Sequence, residues 1–144
     1  MTQVIKSPNQ LPRIASMDAS QDTAGSPTVD IIDDDEAVRF ALMLLMETCG
    51  WQARTYGSVE EFLETHGEHP RPDCLILDLN MKGLTGADLI ERIHPDAPII
   101  VITGYADSPL ADRARRAGVR ALLRKPFSDD VLIGHIREAL GSAA

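Results

Sequence analysis

From Val29 onward, short apolar runs alternate along the chain with longer amphipathic stretches. Short runs rich in β-branched side chains are typical of strands, whereas apolar residues spaced three to four apart indicate helices. The predicted strands cover 29–32, 51–56, 74–77, 98–103 and 119–123, and the predicted helices cover 36–50, 58–66, 85–94, 107–118 and 128–140. Five strands that each precede a helix predict an α/β protein with one doubly wound parallel sheet, a (βα)5 arrangement.

The first and last predicted helices carry signals at their ends. Asp35 stands just before the first helix and is more simply explained as an N-cap than as a ligand, because its side chain can accept hydrogen bonds from free backbone N–H groups. Gly50 is expected to end that helix. Ser128, with Val131 three positions further on, is expected to cap the start of the last helix.

Residues 1–27 differ in composition from the rest of the chain. They are rich in Ser, Thr, Asp, Gln and Pro with scattered single hydrophobic residues, and such a segment cannot bury enough apolar surface to offset the entropy of ordering. We expect a flexible N-terminal tail. Residues 28–144 are long enough for one core, which predicts a single domain with no output domain after it.

The composition and the N-terminal sequence indicate in which compartment the protein resides and which kinds of molecule it binds. The N-terminus lacks a secretory signal, and no apolar run approaches the roughly 18 residues of a membrane span, which predicts a cytoplasmic protein with no membrane contact. Cys49 and Cys74 lie in apolar segments and are expected to be buried free thiols. The net charge of -8 argues against direct DNA binding and favours protein or cation partners.

Polar side chains end four of the five predicted strands. The first strand ends in Asp33 and Asp34, the third in Asp78, the fourth in Thr103 and the fifth in Lys125. Alone, each is more simply a solvated turn or surface residue. Because ligands of an open parallel sheet bind at the carboxyl ends of the strands where the strand order reverses, the four strand ends together predict one small cleft.

The residue types in this cleft predict a particular chemistry. Three crowded carboxylates repel one another unless a cation neutralises them, and an oxygen-only ligand set suits Mg²⁺. A carboxylate can also act as a nucleophile and accept a phosphoryl group. The Lys125 ammonium and the Thr103 hydroxyl could then neutralise charge on the phosphoryl oxygens. The pattern therefore predicts Asp78, at the end of an aliphatic strand, as a phosphoryl acceptor.

Four motifs together resemble the receiver domain of two-component response regulators, and they look nearest to the FixJ-type subgroup. They are IIDDDEAVR, LILDLNMKGLTG, VITGYAD and LLRKPF, within the stretch from about Val29 to Leu140. The resemblance implies a flavodoxin-like fold with strand order 2-1-3-4-5. It also implies a stand-alone receiver, since the sequence shows no segment that predicts an output domain.

By this resemblance, Asp78 is the phosphorylation site and a Mg²⁺ ion is the cofactor. Asp34 would bind the ion directly and Asp33 mostly through water, with Asp78 itself and the backbone carbonyl of Asn80 completing the protein ligands. Lys125 would contact the phosphoryl group.

Thr103 would contact the same group by this resemblance, and the bond from Lys125 to Pro126 would be cis. The sequence departs from the family pattern at Lys82, where Pro is usual, and in an apparently shortened third helix. It departs again at Leu122, which stands where an aromatic residue commonly reports phosphorylation. Tyr105, two residues after Thr103, is therefore a second switch candidate.

The resemblance implies a histidine kinase or a histidine phosphotransfer protein as phosphoryl donor and a downstream protein as target. It implies no enzyme activity beyond self-phosphorylation from a donor and autodephosphorylation. One alternative is a Mg²⁺-dependent phosphatase with an aspartyl nucleophile, which is disfavoured because Asn80 stands where such enzymes often carry a second Asp. Another is a receiver remnant that acts as a non-phosphorylated binding module.

One surface of the predicted fold is basic although the protein as a whole is acidic. The fourth helix and fifth strand carry five arginines, Arg113, Arg115, Arg116, Arg120 and Arg124. Such a face is usually solvated charge. In receivers the corresponding surface often binds partners or a second copy, so a homodimer through it is an open alternative.

Overall fold

The computed structural model describes residues 25–65, 68, 70–81, 86–93 and 97–142. Strands and helices alternate along them: β1 (Thr28–Ile32), α1 (Glu36–Thr48), β2 (Gln52–Tyr56), α2 (Val59–Thr65), β3 (Cys74–Asp78), α3 (Gly86–Ile93), β4 (Ile99–Thr103), α4 (Pro109–Arg116), β5 (Ala121–Arg124) and α5 (Asp129–Ser142). The five strand–helix units predicted from the sequence are confirmed, with ends that shift by a few residues.

The five strands form one parallel sheet in the order β2-β1-β3-β4-β5. This order confirms the predicted flavodoxin-like fold. The chain moves towards one edge from β1 to β2 and towards the other edge from β3 onward, so the strand order reverses between β1 and β3. Ile32 near the end of β1 lies beside Leu77 near the end of β3. The residues that follow these two strands therefore meet at the reversal point, where ligands bind in such sheets.

Helices cover both faces of the sheet. Every residue of β3 and β4 is buried, as expected of central parallel strands packed on both sides. On one face, Phe62 of α2 and Leu89 of α3 belong to a cluster completed by α4. On the other face, Met46 of α1 packs in a cluster with Leu132 and Ile136 of α5. The two cores pack against both faces of the strands and so position the groups at their carboxyl ends.

The predicted helix ends are confirmed. The Asp35 carboxylate accepts hydrogen bonds from the backbone N–H groups of Ala37 and Val38 at 3.0 and 3.3 Å. Gly50 follows the end of α1 with a φ of +82°, a left-handed conformation that glycine adopts without the Cβ penalty of other residues. The Ser128 hydroxyl accepts a hydrogen bond from the backbone N–H of Val131 at 3.2 Å.

An ion pair ties the edge strand β2 to its neighbour. The Asp30 side chain in β1 is only 2% exposed, and its Oδ1 lies 2.7 Å from Nε of Arg54 in β2. The Arg54 Nη2 donates to the other Asp30 oxygen at 3.1 Å and to the backbone carbonyl of Pro70 at 2.9 Å. One guanidinium thus joins two strands and the segment that leads into β3.

Some sequence predictions concern residues outside the described ones, and others can be compared with the structure directly. Residues 1–24 of the predicted tail and Lys82 lie outside the described residues. The described part of the third helix covers eight residues, and the residues on either side of it lie outside the described ones, so the predicted shortening stays a prediction. Cys74 is buried and Cys49 half-buried, both as free thiols, and burial raises the pKa of Cys74 to about 12.

None of the helices in the described part of the chain combines the length and apolar content that crossing a bilayer requires.

Candidate functional site

The acid pair lies directly after β1. Asp33 is fully buried, whereas Asp34 is exposed. The Asp33 Oδ1 accepts a hydrogen bond from the backbone N–H of Asp35 at 2.9 Å, but its Oδ2 is buried without a hydrogen-bond partner among the described residues. Leaving a buried carboxylate oxygen without a donor costs free energy. A cation at this oxygen would remove that cost.

Asp78 ends β3 on the other side of the reversal point and is 3% exposed. Its Oδ1 accepts a hydrogen bond from the backbone N–H of Asn80 at 3.0 Å. Its Oδ2 lies 3.5 Å from Nζ of Lys125, and the same Nζ lies 3.9 Å from Oδ2 of Asp33. One oxygen of Asp78 is therefore fixed by the backbone, and the other faces an ammonium group.

Three carboxylates meet at this point. One oxygen from each of Asp33, Asp34 and Asp78 lies within 4.8 Å of the other two. The negative charges repel one another strongly unless a cation is bound, and hard divalent cations prefer such oxygen ligands. The Asp33 oxygen that accepts no hydrogen bond and the composition of the cluster both fit Mg²⁺.

The surroundings of Asp33 perturb its pKa. Burial raises the pKa of Asp33 from 3.8 to about 6. The hydrogen bond from Asp35 opposes this rise, the Asp78 charge adds to it, and the Lys125 charge opposes it again. Close to neutral pH the Asp33 carboxylate is ionised at a cost, which a bound cation would offset.

Asp33 should make the stability of the magnesium-free protein depend on pH. Because its folded-state pKa is raised from 3.8 to about 6, its contribution to stability is complete below pH 3.8 and is lost as the pH rises through about 6. The quantity to measure is the free energy of unfolding of the natural protein minus that of Asp33→Asn, both in excess chelator. This difference should fall by about 1 kcal/mol between about pH 5 and about pH 7. Chemical denaturation at both pH values measures this, and a constant difference between the proteins would contradict it.

Thr103 ends β4 and is fully buried beside the acidic cluster. Its hydroxyl donates a hydrogen bond to Oδ1 of Asn80 and accepts one from the backbone N–H of Tyr105 at 3.0 Å. The backbone N–H of Lys125 donates to the Thr103 carbonyl at 2.8 Å, and the bond from Lys125 to Pro126 is cis. The structure thus brings the predicted strand-end residues to one place.

Three further contacts at the site were not anticipated from the sequence. Arg39 of α1 donates from Nη1 to the carbonyl oxygen of Asp33 at 2.6 Å, which fastens the acid-pair loop to the first helix. A Cβ on Gly86 would lie 3.1 Å from the carbonyl oxygen of Asp78, so glycine there allows α3 to approach β3 closely. The third is the Asn80 side chain on Thr103. Arg39 could have been found by its spacing, one to two turns after the acid pair.

The two switch candidates differ in exposure. Tyr105 is 68% exposed and lines an open cavity of 330 Å³ together with Arg124. Leu122 is half-buried and packs against the core on the α2–α3–α4 face. Their roles in signalling, like the roles of the site residues, stay predictions.

The basic surface is partly neutralised within the protein. Arg113 lies 2.9 Å from Glu91 and 3.3 Å from Asp88 of α3, and Arg115 lies 3.1 Å from Asp112. These pairs reduce the net positive charge of the α4 face. They favour the simpler interpretation of part of this face as solvated ion pairs.

The sequence model of the response regulator receiver domain matches residues 29–137. The chain therefore belongs to the receiver domain family of two-component response regulators. Members of this family generally bind Mg²⁺ in an acidic pocket, and the described residues of this chain include the aspartate cluster.

Within the family, the chain is similar to regulators of the FixJ type. It is 35% identical over 119 residues to the transcriptional regulatory protein FixJ of Azorhizobium caulinodans, an alignment that covers 81% of this chain and 56% of that protein. Among solved structures, a receiver protein from Burkholderia phymatum is 39% identical with a TM-score of 0.73, over 81% of this chain and 96% of that one. The structure of FixJ-N is 34% identical with a TM-score of 0.72, over 81% and 94%.

The chain spans about half or less of the length of the curated relatives. The aligned part is 56% of the Azorhizobium FixJ and 24% of the C4-dicarboxylate transport regulatory protein DctD of Pseudomonas aeruginosa. The similarity therefore concerns the receiver domains of these longer proteins.

Proposed function

We propose that this receiver accepts a phosphoryl group on Asp78 from a histidine kinase or a histidine phosphotransfer protein and signals by contact with a downstream protein. The observation that carries the proposal is the position of the Asp78 carboxylate. Its Oδ2 lies 3.5 Å from the Lys125 ammonium, and one of its oxygens lies within 4.8 Å of an oxygen of Asp33 and of Asp34. A nucleophile, a fixed positive charge and a metal site then share one pocket.

In the proposed reaction, an oxygen of Asp78 forms a bond to phosphorus while the bond between phosphorus and the donor's leaving group breaks. Mg²⁺, held by Asp33, Asp34, Asp78 and the backbone carbonyl of Asn80, would supply charge neutralisation for the phosphoryl oxygens. The Lys125 ammonium would pair with one of these oxygens.

The hydroxyl of Thr103 would donate to another phosphoryl oxygen, which requires it to leave its present acceptor on Asn80. The resulting rearrangement would be carried to the surface through Tyr105 or Leu122. The net charge of -8 favours a protein target over direct contact with DNA. A second copy docking on α4 and β5 is the alternative partner.

Labelling with a small donor tests the proposal. With acetyl phosphate and Mg²⁺, intact-protein mass spectrometry should show the addition of one phosphoryl group, removed by alkali as expected for an acyl phosphate. Excess chelator should abolish the labelling, because the carboxylates would then repel the incoming phosphoryl group. Labelling that persists without divalent cations, or that resists alkali, would count against an aspartyl acceptor assisted by a metal.

A further inference from the structure

The Thr103 hydroxyl has two competing acceptors in the proposed reaction. In this structure it donates to Oδ1 of Asn80 while its oxygen accepts from the N–H of Tyr105 at 3.0 Å. A threonine hydroxyl carries one proton. It therefore cannot donate fully to Asn80 and to a phosphoryl oxygen on Asp78 at the same time. Capture of the phosphoryl group by Thr103 requires the bond to Asn80 to break.

We propose that the Asn80 side chain is a positioning residue that holds the Thr103 hydroxyl in its unphosphorylated arrangement and competes with the phosphoryl group for it. The inference rests on the proposed function, since it assumes that Thr103 moves to a phosphoryl oxygen. It assigns to the Asn80 side chain a role separate from that of its backbone, whose N–H donates to Oδ1 of Asp78 at 3.0 Å.

The Asn80 side chain can be removed without disturbing the core or the backbone contacts of the site. Asn80 is exposed, so shortening its side chain opens no cavity in the core. Asn80→Ala keeps the backbone N–H that binds Asp78 and the backbone carbonyl, and it removes only the acceptor of the Thr103 proton. Thr103, by contrast, is fully buried. The variant therefore removes one of the two hydrogen bonds of the Thr103 hydroxyl.

Releasing Thr103 should favour the arrangement that binds a phosphoryl group. A ligand shifts a two-state equilibrium by its differential affinity for the two states, and the affinity rises when the competing state is destabilised. One neutral hydrogen bond has a net effect of about five-fold on such an equilibrium. Asn80→Ala should thus bind the phosphoryl mimic beryllofluoride, with Mg²⁺ present, about five-fold more tightly than the natural protein.

A double-mutant cycle shows whether the effect passes through Thr103. In a Thr103→Val background, which keeps the shape but removes the hydroxyl, Asn80→Ala should change beryllofluoride affinity by a factor close to one. Titration followed by NMR gives the four affinities. An equal or weaker affinity in the single variant, or the same gain in both backgrounds, would overturn the proposal.

A measurement on the free protein separates this inference from the proposed function. Three-bond NMR couplings should report one dominant χ1 rotamer for Thr103 in the natural protein and a mixture of rotamers in Asn80→Ala. If the rotamer is released but beryllofluoride binds to neither protein, the Asn80 contact has its proposed effect and the phosphoryl-accepting function is wrong. If the rotamer distribution is unchanged, the inference about Asn80 is wrong whatever the protein binds.

Discussion

Asp78→Asn should reduce labelling of the protein by acetyl phosphate and Mg²⁺ by at least about a hundred-fold. The amide has nearly the shape of the carboxylate and can still accept the hydrogen bond that Asn80 now donates at 3.0 Å. It lacks the charge and the nucleophilic oxygen that the reaction needs. Because the fold is expected to persist, the loss would report chemistry and not unfolding, and intact-protein mass spectrometry against time measures it.

Two variants make the interpretation of this result specific. Asp130→Asn, at the exposed start of α5, changes the same chemical group at a residue outside the acidic cluster and should label as the natural protein does. Asp34→Ala should label slowly at low Mg²⁺ and recover as Mg²⁺ is raised, since it removes a ligand and leaves the nucleophile. Normal labelling of Asp78→Asn would mean that another residue accepts the phosphoryl group.

Arg54→Ala should lower the free energy of unfolding by about 3 kcal/mol, the lower end of the range for removing one partner of a buried ion pair. The Asp30 side chain is 2% exposed, whereas that of Arg54 is 22% exposed. Removing the guanidinium takes two hydrogen bonds from a buried carboxylate and one from the Pro70 carbonyl. The part of Arg54 that reaches solvent is the reason for choosing the lower end.

A matched arginine separates this effect from a general loss of positive charge. Arg116→Ala, at the exposed end of α4, should change the free energy of unfolding by no more than about 0.5 kcal/mol. Urea denaturation of the three proteins at one pH gives the comparison. Similar losses of stability for Arg54→Ala and Arg116→Ala would show that the ion pair between β1 and β2 contributes no more to the free energy of unfolding than an exposed arginine does.

The order of elements and the identity of the strand-end residues could be predicted from the sequence because both depend on short-range signals. β-branched runs such as that of β4, the cap at Asp35 and the turn at Gly50 are local features that the chain encodes within a few residues. The acid pair and Asp78 could be predicted as one site because parallel strands of a doubly wound sheet bring their carboxyl ends together. The family motifs then specified the strand order.

Contacts between distant side chains were decided only by the tertiary structure. Asp30 and Arg54 are 24 positions apart, and Asn80 and Thr103 are 23 apart. No local sequence signal shows whether a charged residue in an edge strand forms an ion pair or is solvated. The sequence assigned a metal-binding role only to the Asn80 backbone. The contact of its side chain with Thr103 followed only from the placement of β3 beside β4.

The sequence by itself therefore determined the class of fold and the set of groups at the site, since these follow from periodicity and from the geometry shared by all parallel sheets. Only packing decided which oxygen of Asp33 is left without a donor and which acceptor holds the Thr103 proton. A hydrogen bond depends on positions to within a fraction of an ångström. Such positions are fixed by the whole core at once and not by any one segment of the chain.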